Sequence, residues 1–171
     1  TGWLLVRKLV ELGEEVLFVE ANAITPSLTK VLKIKPENGI NNLLKGRSSF
    51  ADSVVQVEPN LTALVVLDAD RGAFYLRQNF LQEIISLIPS TSAFKWIFID
   101  LPGIEEDAAT VDILDQCDSI LFNIALMKVA SREFKKAYTQ LVTKKNILER
   151  TIFITNRHRT FWPFFTATGK K

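Results

Sequence analysis

Polar side chains capable of metal or nucleotide chemistry close three of the apolar, strand-sized runs in this chain. Glu20, Asp100 and Asn156 each follow such a run directly. Carboxylate oxygens hold Mg²⁺ directly or through water, and an Asn amide both donates to and accepts from a purine edge. Ligands of open α/β sheets bind outside the carboxyl ends of the strands. If the three strands are parallel, the pattern predicts a metal and nucleotide site along one sheet edge.

Each of the three residues also has a structural interpretation. Asp and Asn are favoured in the turns that lead from strands to helices, where they cap helix N-termini. A polar residue at a strand end therefore does not establish a site by itself. We favour the functional interpretation for Asp100 and Glu20, and both interpretations stay open for Asn156.

The run before Asp100 is the one around which the predicted fold is organised. Residues 96–99 include no polar side chain, as expected for a parallel strand covered by helices on both sides. Pro102 and Gly103 follow, and neither residue continues a strand well. The sequence therefore predicts a strand over residues 95–99 that is buried on both faces.

Segments of helical and strand character alternate along the rest of the chain. Apolar spacing predicts helices at 3–12, 27–32, 40–46, 74–88, 105–117 and 128–148. Apolar runs predict strands at 16–19, 61–67, 95–99, 119–123 and 151–155, and the weak pattern at 50–57 is interpreted as a short helix. Strands that alternate with helices imply right-handed crossovers. We therefore expect an α/β fold: a mostly parallel sheet flanked by helices on both faces, in three α/β/α layers.

Length and composition favour one domain and exclude several classes of protein. The 171 residues are 47% hydrophobic, which suits a single domain over 1–171, with the basic aromatic segment 157–171 as its tail. Lys plus Arg number 21 against 19 Asp plus Glu, and this net charge of +2 gives no reason to expect nucleic acid. The single cysteine, Cys117, suits a reducing compartment. Apolar runs fall short of the roughly 20 residues of a membrane-spanning helix.

Several stretches resemble the motifs of one bacterial family in their order along the chain. VLFVEAN at 16–22, followed by PSL at 26–28, resembles the second Walker motif of bacterial tyrosine autokinases. NGINNLLKG at 38–46 is similar to that family's Pro-Gly-Leu-Ser-Asp-Leu-Leu-x-Gly motif, and WIFIDLP at 96–102 resembles its Walker B strand. IFITN at 152–156 is similar to a strand of the wider MinD and ParA group whose closing Asn contacts adenine.

The resemblance implies a P-loop NTPase-like domain related to the kinases that regulate exopolysaccharide and capsule synthesis and export. It implies ATP or ADP with Mg²⁺ as cofactors, Asp100 and Glu20 at the metal and in catalysis, and Asn156 with Arg157 at the nucleotide. The implied partner is a membrane polysaccharide co-polymerase or its cytoplasmic segment, with a homo-oligomer left open and no nucleic acid expected. The implied location is cytoplasmic, with peripheral attachment to the inner face of the cell membrane as an alternative.

The chain also departs from the family pattern. Glu20 stands where the family has its first Asp, Asn22 stands at the second, and the 157–171 tail has no Tyr to phosphorylate. The phosphate-binding loop and the central strand before it would lie upstream of Thr1. We therefore expect kinase activity to be weakened or lost, and nucleotide binding to depend on an upstream phosphate loop. The chain is expected either to be a fragment or to close the gap by joining the neighbouring strands.

Two other functions stay open. The first is a non-catalytic scaffold or partner of a membrane polysaccharide-export complex, which Glu20, Asn22 and the Tyr-free tail favour. The second is an unrelated flavodoxin-like or response-regulator-like switch, in which acids at strand ends hold Mg²⁺ without a nucleotide. The ordered series of motifs weighs against this second alternative.

Overall fold

The computed structural model describes residues 2–24, 26–67, 76–104, 106, 109–125, 131–143 and 145–156. The chain forms two compact units, residues 1–117 and 118–171. The expectation of one domain over 1–171 stays a prediction, and the 157–171 tail lies outside the described residues.

The first unit combines helices and strands in the predicted order, except that Val54–Glu58 is an additional strand. Its elements are α1 (Gly2–Glu11), β1 (Val16–Glu20), α2 (Leu28–Leu32), α3 (Ile40–Leu44), α4 (Phe50–Ser53), β2 (Val54–Glu58), β3 (Leu61–Leu64), α5 (Phe80–Leu87), β4 (Trp96–Asp100) and α6 (Ala109–Leu114). Gly13 ends α1, where its N–H donates to the Val10 carbonyl at 2.9 Å and its φ of +80° is left-handed. Glycine adopts that conformation without steric cost, so the chain turns there into β1.

The four strands of this unit form one sheet in the order β2-β3-β1-β4. β1 runs parallel to β3 and to β4, whereas β2 is antiparallel to β3. Asn60 has a φ of +67° in the turn between β2 and β3, a backbone region in which Asn is enriched. The sheet is thus mostly parallel, as predicted.

β1 divides the core of the first unit into two layers of helices. Leu17 and Val19 face one side, where they pack in a cluster with residues of α3, α4, α5 and α6. Val16 and Phe18 face the other side, where they pack with residues of α1 and α2. All five residues of β1 are buried, so the predicted sheet with helices on both faces is confirmed in this unit.

The prediction that residues 95–99 are buried on both faces is wrong. Trp96 is 43% exposed and Ile97 is 38% exposed. Among the described residues β4 pairs with β1 alone, so it is an edge strand. An apolar run does not distinguish an edge strand from a central one, because burial depends on neighbours that come from elsewhere in the sequence.

Of the two expected alternatives, a fragment or a sheet whose gap is closed by joining neighbouring strands, the second is not observed in the described part of the chain. The second unit consists of β5 (Ile120–Ala125), α7 (Ser131–Val142), α8 (Lys145–Glu149) and β6 (Thr151–Asn156). β5 pairs in parallel with β6 in a sheet of two strands. Across the described strands, therefore, neither β4 nor β5 gains a second partner.

Other predicted boundaries change for local reasons. The segment 50–57 holds α4 followed by β2, because Ser49 caps the helix through a bond from Asp52 N–H and the β-branched Val54 then favours a strand. The helix predicted at 128–148 is two helices, and at the break the Thr143 hydroxyl donates to the Gln140 carbonyl. No helix within the described ranges is long and apolar enough to cross a membrane.

Candidate functional site

Two of the predicted site residues meet at the carboxyl end of the four-stranded sheet. Glu20 closes β1 and Asp100 closes β4, and the two residues are partners in the parallel register. The backbone joins them as well, because the Ala21 N–H donates to the Asp100 carbonyl at 2.8 Å. Residues paired in register point to the same face of a sheet. The strand-end pattern therefore brings these two carboxylates together.

Glu20 is the more buried of the two, with 1% of its surface exposed. Its Oε1 accepts hydrogen bonds from the N–H groups of Ser27 and Leu28, both at 2.7 Å. Its Oε2 accepts a longer bond, 3.3 Å, from the N–H of Val66. Hydrogen bonds to an ionised acceptor are roughly twice as strong as neutral ones. These donors compensate the carboxylate for its loss of water.

The segment after β3 also forms a backbone hydrogen bond with the start of α3. The Ile40 N–H donates to the Val65 carbonyl at 2.9 Å. At Gly39 a Cβ atom would lie 2.6 Å from the same carbonyl oxygen and 2.9 Å from the Cγ of Leu67. Only a residue without a side chain fits there, so Gly39 allows the start of α3 to approach the sheet.

Asp100 has a different environment, because it lies on the edge strand. The residue is exposed, and no described residue donates a hydrogen bond to its carboxylate. Partial desolvation raises the pKa of Asp100, and the nearby negative charge of Glu20 raises it further. Solvent at the exposed side chain screens this effect, so the direction of the shift is informative and its energy is small.

The two carboxylates could attract a cation but would need further ligands to hold one. Mg²⁺ takes six oxygen ligands and commonly keeps several waters, so one or two carboxylates suffice when phosphates supply the rest. The described part of the chain has no cluster of three or more His, Cys, Asp or Glu residues that could hold a metal ion. The donor set therefore fits a metal that arrives with a phosphate ligand better than a permanent protein site.

The other predicted nucleotide contacts, Asn156 and Arg157, belong to the second unit. Asn156 closes β6 opposite Ala125 in the second unit, and its side chain lies outside what the structure describes. Arg157 also lies outside the described residues. Asn22 is half-buried in the segment that follows Glu20. The nucleotide-binding role of Asn156 and Arg157 stays a prediction.

The sequence analysis missed the backbone donors that hold Glu20. Ser27 and Leu28 lie in the stretch compared with a family motif, but nothing in that motif identified their N–H groups as partners of Glu20. Val66 lies 46 residues from Glu20 along the chain, and no local pattern relates the two. Gly39 did give a signal, since it stands in turn-forming sequence before an apolar helix.

Comparisons of sequence and of structure give different results. The sequence matches no protein-family model and no curated protein. The fold matches solved structures, among them the kinase domain of VpsO, which is 20% identical with a TM-score of 0.64 over 85% of this chain and 71% of that one. A plasmid partition protein from Borrelia burgdorferi is 15% identical with a TM-score of 0.70 over 94% and 73%.

The chimerical protein CapA2B2 is also similar, at 15% identity and a TM-score of 0.67 over 85% of this chain. This chain spans 64% of that structure, less than two thirds of its length. Identities this low establish the fold alone. The chain shares the α/β fold of bacterial tyrosine kinase domains, of MinD and of plasmid partition proteins, which is the fold that the sequence motifs imply.

Proposed function

We propose that this chain is a divergent nucleotide-binding domain related to the tyrosine autokinases that regulate exopolysaccharide and capsule synthesis and export, with kinase activity weakened or lost. The observation that carries the proposal is the pairing of Glu20 with Asp100 at the carboxyl ends of two parallel strands. Ligands of open α/β sheets bind at that position. A structural neighbour of 15% identity, a putative plasmid partition protein from Borrelia burgdorferi, is bound to AMPPNP, which supports ATP or ADP as the ligand.

Asp100 is the residue that we propose to hold Mg²⁺ or its water shell. Its carboxylate is exposed and accepts no hydrogen bond from a described residue, so it is available to a cation or to a metal-bound water. Bound Mg²⁺ would neutralise phosphate charge. Glu20 adds a second negative charge, and its Oε2, which accepts a single long bond, keeps capacity for a water. We propose that Asn156 and Arg157 contact the nucleotide.

Among the described strands β4 has one unpaired edge, and this supports the proposal that an additional strand, followed by a phosphate-binding loop, completes the site. The Trp96 N–H donates to the Glu15 carbonyl, and the Asp100 carbonyl accepts from Ala21, so these residues of β4 direct their backbone groups to β1. In a parallel ladder the alternate residues, Ile97 and Ile99, direct their N–H and C=O groups away from β1. A strand paired there would end beside Asp100.

The opposite edge strand of the sheet, β2, has an irregularity that hinders pairing with a further strand, whereas β4 has none in its register with β1. β2 has an irregularity between Gln56 and Glu58, and the Gln56 side chain donates to the Glu58 carbonyl at 2.7 Å. Bulges of this kind are a common means of preventing an edge from pairing with another strand. β4 has a continuous register with β1 and no such irregularity.

The alternative function is a non-catalytic scaffold or partner of a membrane polysaccharide-export complex. The contacts of Glu20 favour it, because three backbone N–H groups already occupy the carboxylate that catalysis would use. Asn22 favours it too, since an amide cannot act as a base. In either case we propose a cytoplasmic domain, with the cytoplasmic segment of a membrane polysaccharide co-polymerase as its partner.

Calorimetric titration with Mg²⁺-ATP and Mg²⁺-ADP tests the proposal. It is performed on this chain and on the natural full-length protein in parallel. Binding by the full-length protein and not by the 171-residue chain is the expected result if the proposed phosphate loop supplies most of the phosphate contacts. Absence of binding by both would contradict nucleotide binding and favour the scaffold.

A further inference from the structure

Glu20 has contacts that a catalytic or metal-binding role does not require. It is the one acidic residue among the buried side chains of the described chain. It forms no ion pair with a described Lys, Arg or His, and a buried charge without a partner is costly. The hydrogen bonds from Ser27, Leu28 and Val66 must therefore account for its burial.

Two of these hydrogen bonds satisfy N–H groups at the start of α2 that have no acceptor within the helix. The first N–H groups of any helix have no partner within the helix. Ser27 occupies the N-cap position of α2, yet its side chain makes no capping hydrogen bond. The Oε1 of Glu20 accepts from the N–H of Ser27 and of Leu28 instead. A side chain of β1 thus provides the hydrogen-bond acceptor for the first N–H groups of α2.

The third bond connects the same carboxylate to the segment after β3. Through Val66, Glu20 reaches backbone that is far away in the sequence. We infer that Glu20 is a positioning residue: its carboxylate ties the start of α2 to the backbone that follows β3, and so fixes these two segments at the carboxyl end of the sheet. This inference rests on contacts alone and holds whether or not the proposed nucleotide binds.

The contacts of Glu20 require the length of a Glu side chain. Shortening Glu to Asp removes one methylene, which draws the carboxylate back by about 1.5 Å. Bonds of 2.7 Å to Ser27 and Leu28 would then exceed hydrogen-bond length unless the backbone moved. The tie is therefore expected to depend on Glu at this position.

Amide hydrogen exchange on the ¹⁵N-labelled natural protein tests the inference. Glu20→Asp is expected to reduce the protection of the Ser27 and Leu28 amides by about tenfold or more, the equivalent of one lost charge-assisted hydrogen bond. Glu37→Asp, at an exposed position before α3, is the matched control and should leave those amides unchanged. Unchanged protection of Ser27 and Leu28 in Glu20→Asp would overturn the inference.

Glu20→Gln separates positioning from a general loss of stability. The amide oxygen of Gln can keep the Oε1 bonds to Ser27 and Leu28, whereas its NH₂ group cannot accept from Val66. Selective loss of protection at Val66, with the other two amides retained, is therefore expected. A uniform loss across the first unit, including the Leu17 amide in β1, would overturn the inference. Nucleotide affinity does not enter either result, so failure of the proposed function stays distinguishable.

Discussion

Glu20 and Asp100 have the same charge and are register partners, yet they differ in almost every other respect. Glu20 ends a strand that is paired on both sides, and its carboxylate is buried against backbone N–H groups. Asp100 ends the edge strand and is exposed. The difference in burial follows from strand position, because β1 has a strand on each side whereas β4 pairs with β1 alone among the described strands.

The largest expected effect is on the free energy of unfolding, when two register partners are each shortened to Ala. Leu17 in β1 is fully buried and pairs with Ile97 in β4, which is 38% exposed. Leu17→Ala should cost about 4 kcal/mol of the free energy of unfolding, because it leaves a cavity in the core. Ile97→Ala should cost about 1 kcal/mol, because water already reaches the site. Urea denaturation of both variants measures the difference, and equal costs would contradict the edge position of β4.

The same contrast explains how much of this fold the sequence could predict. Apart from β2 and the break between α7 and α8, the order of helices and strands followed from apolar periods and from turn residues such as Gly13, which are local signals. The exposure of Trp96 and Ile97 did not, because it depends on which strand lies beside β4. The tie from Glu20 to Val66 could not be predicted either, since it joins residues brought close only by the folded sheet.

A substitution that adds a methyl group at Gly39 tests how closely the start of α3 packs against the segment after β3. Gly39→Ala should lower the free energy of unfolding by about 2 kcal/mol, because the new methyl group would overlap the Val65 carbonyl. Gly2→Ala is the matched control, since a Cβ there meets no atom within 4 Å. Thermal unfolding of both variants provides the test. A control-like result for Gly39→Ala would mean that α3 does not approach the sheet closely.

The smallest expected effect concerns the dependence of stability on pH. The raised pKa of Asp100 means that the folded state holds its proton above the ordinary value of 3.8. The stability of the natural chain, relative to Asp100→Asn, should therefore decrease as pH rises through the window just above that value. Denaturation midpoints of both proteins across this window give the comparison. A relative stability that instead increased with pH there would contradict the raised pKa of Asp100, which partial desolvation and the charge of Glu20 cause.

The contribution of Asp100 to Mg²⁺-dependent nucleotide affinity is the most direct test of the central claim. The full-length Asp100→Asn variant is titrated calorimetrically with ATP in Mg²⁺ and in EDTA, with Asp118→Asn, an exposed acid before β5, as its control. Loss of about tenfold or more in affinity is expected in Mg²⁺ for Asp100→Asn alone, as is typical when a group that orients a metal or its waters is removed. Equal Mg²⁺-dependent affinity in the natural protein and both variants would contradict the assignment of Asp100 to the site.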